Sequence, residues 1–203
     1  MRAEENRVVR LVKEPPVRRV GGSERVHLSV GSNQGNRSEN VLLALLMLSR
    51  DPGVEVRACS RLYLTAPVPS APQPMFLNAA IEIETPYEPR ALLARAKSIE
   101  SALGRRSGGR WSPRPIDVDI LLFGGRVVRE ADLVIPHPRL HERHFVLYPL
   151  AEIAPDETHP TLGASVADLM RRLPPIDFVP RPVDGGRIPG WSTVSTATSP
   201  SRA

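Results

Sequence analysis

Two carboxylates interrupt an otherwise apolar segment at residues 116–123, which reads IDVDILLF. Side chains of an extended strand alternate between its faces, so Asp117 and Asp119 are predicted to share one face with Leu121 and Phe123. The opposite face takes the aliphatic residues between them, Ile116, Val118, Ile120 and Leu122. The two carboxylates would have Cα atoms roughly 6 to 7 Å apart, a spacing that lets both hold divalent cations. Oxygen ligands favour Mg²⁺ over zinc.

Spacing alone leaves a second interpretation equally open, in which both carboxylates are solvated on an exposed strand face. The preceding residues favour the metal interpretation, because Arg105, Arg106, Arg110 and Arg114 all lie within fifteen residues upstream. Cations that bind phosphate and anions that bind metal are the two parts that phosphoryl transfer needs. The sequence has neither a P-loop nor the glycine-rich loop of protein kinases, so an ordinary site of either kind is excluded.

The charge of the chain suggests a polyanionic partner, since the net charge is +5 and 25 arginines stand against two lysines. Arginine suits bidentate binding of phosphate. Nucleic acid is the alternative partner, but aromatic residues make up only 4% of the chain and the central region has no basic block. We therefore expect no nucleic-acid partner.

Cysteine content and hydropathy indicate a cytoplasmic protein without a membrane partner. Cys59 is the only cysteine, which rules out an intrachain disulfide framework and fits a reducing compartment. No stretch approaches the roughly 18 to 20 apolar residues that span a bilayer, and the N-terminus has no apolar signal-peptide core.

The order of predicted elements is strand, helix, strand, strand, helix, strand. They are placed at 26–30, 37–50, 54–64, 76–84, 88–103 and 116–123, with Gly31-Ser32-Asn33 as a turn and a return strand at 126–128. Asn36 and Glu39 have the spacing of a capping box, and Pro89 suits a first helical position. This order predicts an α+β, ferredoxin-like antiparallel sheet with helices on one face and an open ligand-binding face, to which 129–174 add short helices at the edge.

Three segments follow from composition. Residues 1–24 are expected to be a disordered extension, 25–174 the folded domain, and 175–203 a flexible tail, because the tail has no periodic apolar pattern. Within the domain, four prolines between residues 65 and 74 predict an ordered but movable loop.

Two further groups of side chains are candidate ligand contacts. His137, His141 and His144 could suggest zinc, but prolines on both sides of His137 would break the helix needed to align them, so one histidine donating to a phosphate is preferred. Phe76 and Phe145 are by default core residues. Asn78, however, faces the same way as Phe76 on a strand, so a flat heterocycle could stack on the ring and hydrogen-bond to the amide.

Taken together, residues 26–173 resemble the 6-hydroxymethyl-7,8-dihydropterin pyrophosphokinases of folate biosynthesis. The resemblance rests on several motifs in order, which are Gly31-Ser32-Asn33, Phe76-Leu77-Asn78-Ala79-Ala80, Glu100 with Gly104-Arg105, Arg110-Trp111 through Phe123, Pro136 to Arg139, and Arg143-x-Phe145. It implies transfer of the β,γ-pyrophosphoryl group of ATP to the pterin hydroxymethyl oxygen, which leaves AMP.

The resemblance also implies roles for residues of this chain. Asp117 and Asp119 would hold two Mg²⁺ ions, and Arg105 and Arg114 would neutralise charge developing on the phosphates. The triphosphate would be bound by Arg110, His137 and Arg143, and the nucleotide pocket lined by Glu100, Trp111 and Ile120. The pterin edge would be read by Asn78 and the backbone at Thr65 and Val68, and its ring held between Phe76 and Phe145. A monomer is expected. Ser112, Asp132, Val134 and Pro138 depart from the family pattern and would tune affinity.

Two other functions stay open from sequence. One is a different Mg²⁺-dependent nucleotidyl or phosphoryl transferase on the same scaffold, because fold does not fix chemistry. The other is a non-catalytic basic module that binds RNA on the open sheet face.

Overall fold

The predicted order of elements is confirmed in a computed structural model, which describes residues 22–67, 73–105 and 112–188. The main sheet contains β1 (Glu24–Ser32), β2 (Glu55–Cys59), β3 (Tyr63–Thr65), β4 (Phe76–Thr85), β5 (Asp117–Phe123) and β8 (Arg181–Pro182). A second, two-stranded sheet contains β6 (Val128–Arg129) and β7 (Val134–Ile135). The helices are α1 (Arg37–Ser49), α2 (Pro89–Ala102), α3 (His144–Ile153) and α4 (Val166–Arg171), with a 3₁₀ turn at Leu140–Glu142.

The main sheet is antiparallel throughout, with the strand order β5-β1-β4-β3-β8 and β2 also paired to β4. The central strands β1 and β4 are the longest, and Gly31 and Ser32, predicted as a turn, continue β1. They stay in the strand because they pair with Asn78 and Leu77 of β4. This extension carries β1 to the end of the sheet where the aspartates of β5 lie.

The two long helices begin as their sequences predict. Asn36 caps α1, since its Oδ1 accepts the backbone N–H of Glu39 at 3.4 Å and its Nδ2 donates to the Glu39 carboxylate at 2.8 Å. Pro89 occupies the first turn of α2, where its missing N–H costs no hydrogen bond. Beyond α2, Gly104 has φ +89°, a left-handed conformation that glycine adopts without strain. The chain can therefore leave the helix and enter the arginine-rich segment.

One face of the sheet packs on α1 and α2, and this is the larger apolar core. It combines alternate residues of β1 and β4 with the apolar sides of the two helices, among them Val26, Leu28, Val30, Ile81, Ile83, Val41, Leu45, Leu48, Leu92 and Ile99. Apolar residues at every second position of the strands thus pack against apolar residues at helical spacing in α1 and α2.

The opposite face is less open than predicted. Val146, Leu147 and Leu150 of α3 pack with Ala58, Ala80 and Leu121 of the sheet in a second core cluster. The residues from 129 onward therefore cover part of this face and do not lie only at the sheet edge. The apolar side of α3 packs on small sheet residues, so that the helix residues and the sheet residues are both buried. What remains accessible is the end of this face near Asp117 and Asp119.

The predicted alternation along β5 holds at Asp117 and Asp119 and changes further on. Leu28 pairs with Ile120 and His27 with Leu122, so Leu121 is an extra residue opposite β1. This bulge shifts the alternation by one residue, and Phe123 packs in the core under α1 and α2 instead of sharing a face with the aspartates.

The predicted return of residues 126–128 along β5 is wrong. Val128 pairs with Ile135, so β6 and β7 form their own sheet. Arg126 does not pair with β5, and its guanidinium forms ion pairs with Glu24 and Glu88. The predicted strand at 54–64 is divided as well, since Arg61 between β2 and β3 is held by Glu152 of α3 at 3.0 Å.

The chain packs against the sheet beyond the predicted boundary at residue 174. We call residues 181–188 the C-terminal strap. Its first two residues form β8 beside β3, the N–H of Val183 donates to the carbonyl of Leu62 at 2.9 Å, and Ile188 is buried in the larger core. The absence of periodicity in this part of the sequence did not prevent packing, because the contact is made largely through backbone groups. Within the described ranges, no helix is long and apolar enough to cross a membrane.

A buried ion pair near the end of α1 provides a test of this packing. Asp51 accepts hydrogen bonds from Arg95 at 2.5 Å, from the Tyr87 hydroxyl at 2.6 Å and from the Gly53 N–H at 2.9 Å. Asp51→Ala should lower the free energy of unfolding by about 3 kcal/mol, because Arg95 would keep a buried charge without its partner. Urea denaturation measures the change. Asp132→Ala, which removes an exposed partner of Arg90, should have almost no effect; equal losses in both variants would contradict the assignment.

Candidate active site

Most of the predicted site residues line one cavity of about 270 Å³ at the accessible end of the sheet. Strand ends and the segment from 137 to 145 supply its walls. Ten of the predicted residues line it: Thr65, Phe76, Asn78, Arg105, Arg114, Asp117, Asp119, His137, Arg143 and Phe145. Carboxylates, guanidinium groups, an amide and two aromatic rings therefore face the same space.

The aspartate pair lies where β5 pairs with β1. Asp117 is opposite Gly31 and Asp119 opposite Ser29, so small residues leave the carboxylates room on this face. Asp117 forms ion pairs with Arg105 and, at 2.9 Å, with Arg114. Two arginines thus compensate its charge.

The negative charge of Asp119 is compensated less completely than that of Asp117. Burial raises its pKa to about 6, and the neighbouring charge of Asp117 adds to the effect, while Lys97 and Arg143 oppose it. A buried carboxylate beside a second carboxylate is stabilised in its charged form by any cation that enters between them.

Glu100 positions Arg105 and the start of β5. Its carboxylate pairs with Arg105 at 2.6 Å, accepts the N–H of Val118 at 2.8 Å and accepts from Lys97 at 3.0 Å. Glu100 is 2% exposed, and its carboxylate is occupied by these three contacts. The last turn of α2 is thereby fastened to the strand that carries the aspartates.

Asn33 connects the two chain segments that flank the cavity. Its side chain accepts the N–H of Arg114 at 2.8 Å and donates to Gln73 at 3.1 Å, and its own N–H donates to the Arg114 carbonyl at 3.2 Å. Asn33 is buried, so these bonds are shielded from water. The position of the Arg114 backbone is thus set by the end of β1.

His137 and Arg143 present hydrogen-bond donors to the cavity. Burial, aided by the charge of Arg143, lowers the pKa of His137 to about 4, so the ring is neutral at pH 7. His137 Nδ1 accepts the N–H of Arg139 at 3.1 Å, which places the ring proton on Nε2. That nitrogen lies 3.3 Å from Arg143 Nη1, so the two groups are close enough to bind the same anionic group.

A second observation points the same way. Arg105 and Arg114 line the same cavity as Arg143. Three guanidinium groups in one cavity make this wall suited to a highly charged anion.

The other end of the cavity is built for a planar, polar ligand. Asn78 is buried and donates to the Thr65 hydroxyl at 2.6 Å, so β3 and β4 fix its amide. Gly31 makes room for it, because a Cβ at residue 31 would lie 2.2 Å from Asn78 Oδ1. Phe76 and Phe145 are partly buried and both line the cavity. A heterocycle could meet ring faces and hydrogen-bonding groups here together.

Comparison with known proteins agrees with this geometry. Residues 27–155 match the family of 7,8-dihydro-6-hydroxymethylpterin-pyrophosphokinases (HPPK). The chain is 43% identical over 151 residues to the 2-amino-4-hydroxy-6-hydroxymethyldihydropteridine pyrophosphokinase of Methylorubrum extorquens, which covers 74% of this chain and 94% of that protein. The chain belongs to this family. Its activity is pyrophosphoryl transfer to hydroxymethyldihydropterin, a step of folate biosynthesis.

In other relatives, the region that matches this chain is part of a longer protein. A folic acid synthesis protein of Pneumocystis carinii is 39% identical over 158 residues, which are 78% of this chain and only 21% of that protein. Among solved structures, an HPPK-DHPS protein of Plasmodium falciparum matches with a TM-score of 0.60 at 16% identity, over 74% of this chain and 43% of that one. This last likeness supports the fold alone.

The remaining predicted site residues do not line the cavity or lie outside the described residues. Glu100 lies behind Arg105, and Ile120 is buried in the core under the helices. Val68, Arg110 and Trp111 lie outside the described residues, as does part of the loop at 65–74 that is predicted to be movable.

Sequence reasoning missed several residues that line the cavity, including Ser29, Gly31, Gln73 and Lys97. Ser29 and Gly31 alternate with apolar residues of β1, and this pattern could have indicated a second, polar face on that strand. Lys97 precedes Glu100 by one helical turn, a spacing that predicts contact.

The donor set of the cavity suits Mg²⁺ bound together with a phosphorylated substrate. Among the described residues, no group of three or more His, Cys, Asp or Glu could hold a metal ion. Mg²⁺ commonly uses one or two carboxylates, with waters and substrate phosphates as further ligands. Asp117 and Asp119 fit that pattern, and the raised pKa of Asp119 reflects an environment in which a cation would be favourable.

Removing the charge of Asp119 should stabilise the ligand-free protein. The pKa of about 6 lies above the ordinary value of 3.8, so the folded state binds more protons than the unfolded state between these values. Wild-type stability should fall as pH rises through this window and stay lower above it. In EDTA at pH 7.5, Asp119→Asn should therefore raise the free energy of unfolding by roughly 1 to 3 kcal/mol. The gain should vanish near pH 4; a gain that does not depend on pH would contradict this explanation.

Proposed function

We propose that the chain transfers the β,γ-pyrophosphoryl group of ATP to 6-hydroxymethyl-7,8-dihydropterin in a Mg²⁺-dependent reaction that releases AMP. The observation that carries this proposal is that one cavity holds the aspartate pair, phosphate-binding cations and an aromatic–amide end. Such a transfer depends on placing a hydroxyl in line with a phosphorus atom and on neutralising charge.

Phosphate binding is assigned to the cationic wall. Arg143 and His137 offer adjacent donors, and they bind the triphosphate together with Arg110. Arg105 and Arg114 now pair with Asp117, so they lie beside the carboxylates where the transferred group would react. Charge that develops on the phosphates is stabilised there by groups that are already oriented, which is the largest contribution a protein makes to this kind of reaction.

Asp117 and Asp119 are assigned to two Mg²⁺ ions. When bound, the ions would screen the phosphate charge and make the hydroxymethyl oxygen a better nucleophile. The carboxylates share a strand face, and Glu100 fastens the start of that strand through the Val118 N–H. The chain thereby sets the spacing of the ligands before any substrate arrives.

The pterin is assigned to the aromatic–amide end. Asn78 and the backbone at Thr65 and Val68 read the edge of the heterocycle, and Phe76 and Phe145 stack on its two faces. Support comes from the short bond between Asn78 and Thr65 and from the position of both rings on the cavity wall. The polar edge would then be fixed in orientation, so that the hydroxymethyl group is directed toward the aspartates.

For the nucleotide we propose a subsite around Glu100, Trp111 and Ile120. Glu100 contributes through Arg105 and Lys97, which it contacts and which line the cavity. The described parts of the segments at 65–75 and 104–115 contribute Thr65, Gln73, Arg105 and Arg114 to the cavity lining. We propose that closure of these segments on bound substrates excludes water as a competing acceptor. We further propose that the chain is cytoplasmic, which its single cysteine supports, and that it is a monomer without a nucleic-acid partner.

The product nucleotide distinguishes this function from its alternatives. The purified chain should form AMP from ATP only when Mg²⁺ and 6-hydroxymethyl-7,8-dihydropterin are both present, as followed by chromatography. Asp117→Ala should lower this rate at least about a hundredfold, because it removes a metal ligand and the anchor of two arginines. Asp156→Ala, in an exposed turn, is the matched control and should leave the rate unchanged. Pterin-dependent ADP would indicate single phosphoryl transfer, and salt-sensitive oligonucleotide binding without turnover would favour the RNA-binding module.

Loss of one stacking ring should weaken pterin binding selectively. Phe145→Ala should raise the dissociation constant for the pterin by a factor of about 5 to 150, which corresponds to roughly 1 to 3 kcal/mol of lost stacking. Calorimetry with the pterin and a non-hydrolysable ATP analogue measures both affinities. Phe145→Trp keeps an aromatic face and serves as the control. Equal pterin affinity in the alanine variant and the wild type would refute stacking on this residue.

A further inference from the structure

The C-terminal strap, residues 181–188, lies beyond the part of the chain that matches the family, which ends at residue 155. It runs along β3, the short strand that ends at Thr65 and leads into the cavity wall formed by Thr65, Ala66 and Pro67. We propose that the strap is a positioning element for the pterin subsite, which it acts on through β3. This inference rests on the proposed function.

β3 is too short to be fixed by one neighbour. Its three residues pair with β4 on one side through Asn78, Leu77 and Phe76. Without the strap it would be an edge strand of three residues, and such short strands have few hydrogen bonds to hold their register. The strap gives β3 a second neighbour, because Tyr63 pairs with Pro182 and Leu64 with Arg181.

Backbone bonds at Leu62 make the attachment specific. The carbonyl of Leu62 accepts the N–H of Val183, and the N–H of Leu62 donates to the carbonyl of Gly186, both at 2.9 Å. A turn within the strap supports this geometry, since Gly186 also donates to the Val183 carbonyl. Ile188 then enters the larger core at 7% exposure and anchors the end of the strap. Both backbone groups of Leu62 are thereby satisfied.

The remaining side of β3 is held by α3. The Tyr63 hydroxyl donates to Glu152 at 2.7 Å, and burial raises the pKa of Tyr63 to about 12, so the hydroxyl stays a donor at neutral pH. The strand is thus fastened by β4, α3 and the strap, and its last residue, Thr65, accepts the hydrogen bond that orients Asn78. Loosening the strap would let Thr65 move and disorient the amide, without touching the aspartate pair.

Two changes to the strap test this. A chain ending at residue 178 lacks the strap, and a chain ending at residue 188 is its control. Gly186→Ala leaves the chain length intact, but its Cβ would lie 2.6 Å from Val183 Cγ2 and 2.8 Å from the Val183 carbonyl oxygen, so the turn must shift. Gly125→Ala is the matched substitution, since no atom lies within 4 Å of its Cβ.

The expected result is a KM for the pterin raised about fivefold or more in the chain ending at 178 and in Gly186→Ala, with the KM for ATP within about twofold of wild type. A structural role alone would lower Tm and the active fraction and leave both KM values unchanged, and that outcome overturns the proposal. If the shorter chain does not fold, Gly186→Ala alone decides. The wild type and both controls must show pterin-dependent AMP; their failure to do so would count against the proposed function and not against the strap.

Discussion

The site is organised around the repulsion between two carboxylates held side by side on β5. Burial and the charge of Asp117 raise the pKa of Asp119 to about 6, and the cations around the pair compensate only part of this cost. Arg105 and Arg114 face Asp117. A protein that needed only stability would replace one carboxylate by an apolar residue. The unfavourable pair is understandable as a site prepared for divalent cations and a polyphosphate, which bring the missing charges of both signs.

The rest of the fold keeps that pair in place. β5 is an edge strand of the main sheet, paired only with β1 among the described strands of that sheet. In place of a second neighbouring strand, two buried side chains hydrogen-bond to the backbone in and just before β5. Glu100 accepts the N–H of Val118 from the end of α2, and Asn33 holds both backbone groups of Arg114 from the end of β1. Glu100, predicted as a nucleotide contact, therefore has a directly visible structural task, and any effect on the nucleotide passes through Arg105 and Lys97.

Local signals made most of the fold predictable. The cap at Asn36, the proline at the start of α2 and the alternation in β4 act within a few residues, so sequence reveals them. The errors arose where distant partners decide. The bulge at Leu121, the separate β6–β7 sheet and the cover provided by α3 depend on contacts across the sheet or beyond it. The same distinction holds for the site. The aspartates could be predicted from the sequence of their own strand, whereas the need for glycine at Gly31 depends on Asn78 of the neighbouring strand.

The two ends of the cavity are built to different degrees of rigidity. The phosphate end rests on long elements, with β1, β5 and α2 joined by buried hydrogen bonds. The pterin end rests partly on β3, whose three residues gain their order from β4, α3 and the strap. Ordering such a strand costs conformational entropy, and contacts with neighbouring elements must offset this cost because three residues form too few contacts among themselves. Substrate discrimination at this end therefore depends on residues remote from the ligand, and a chain that differs in its C-terminal segment would alter pterin affinity while its phosphate chemistry stayed the same.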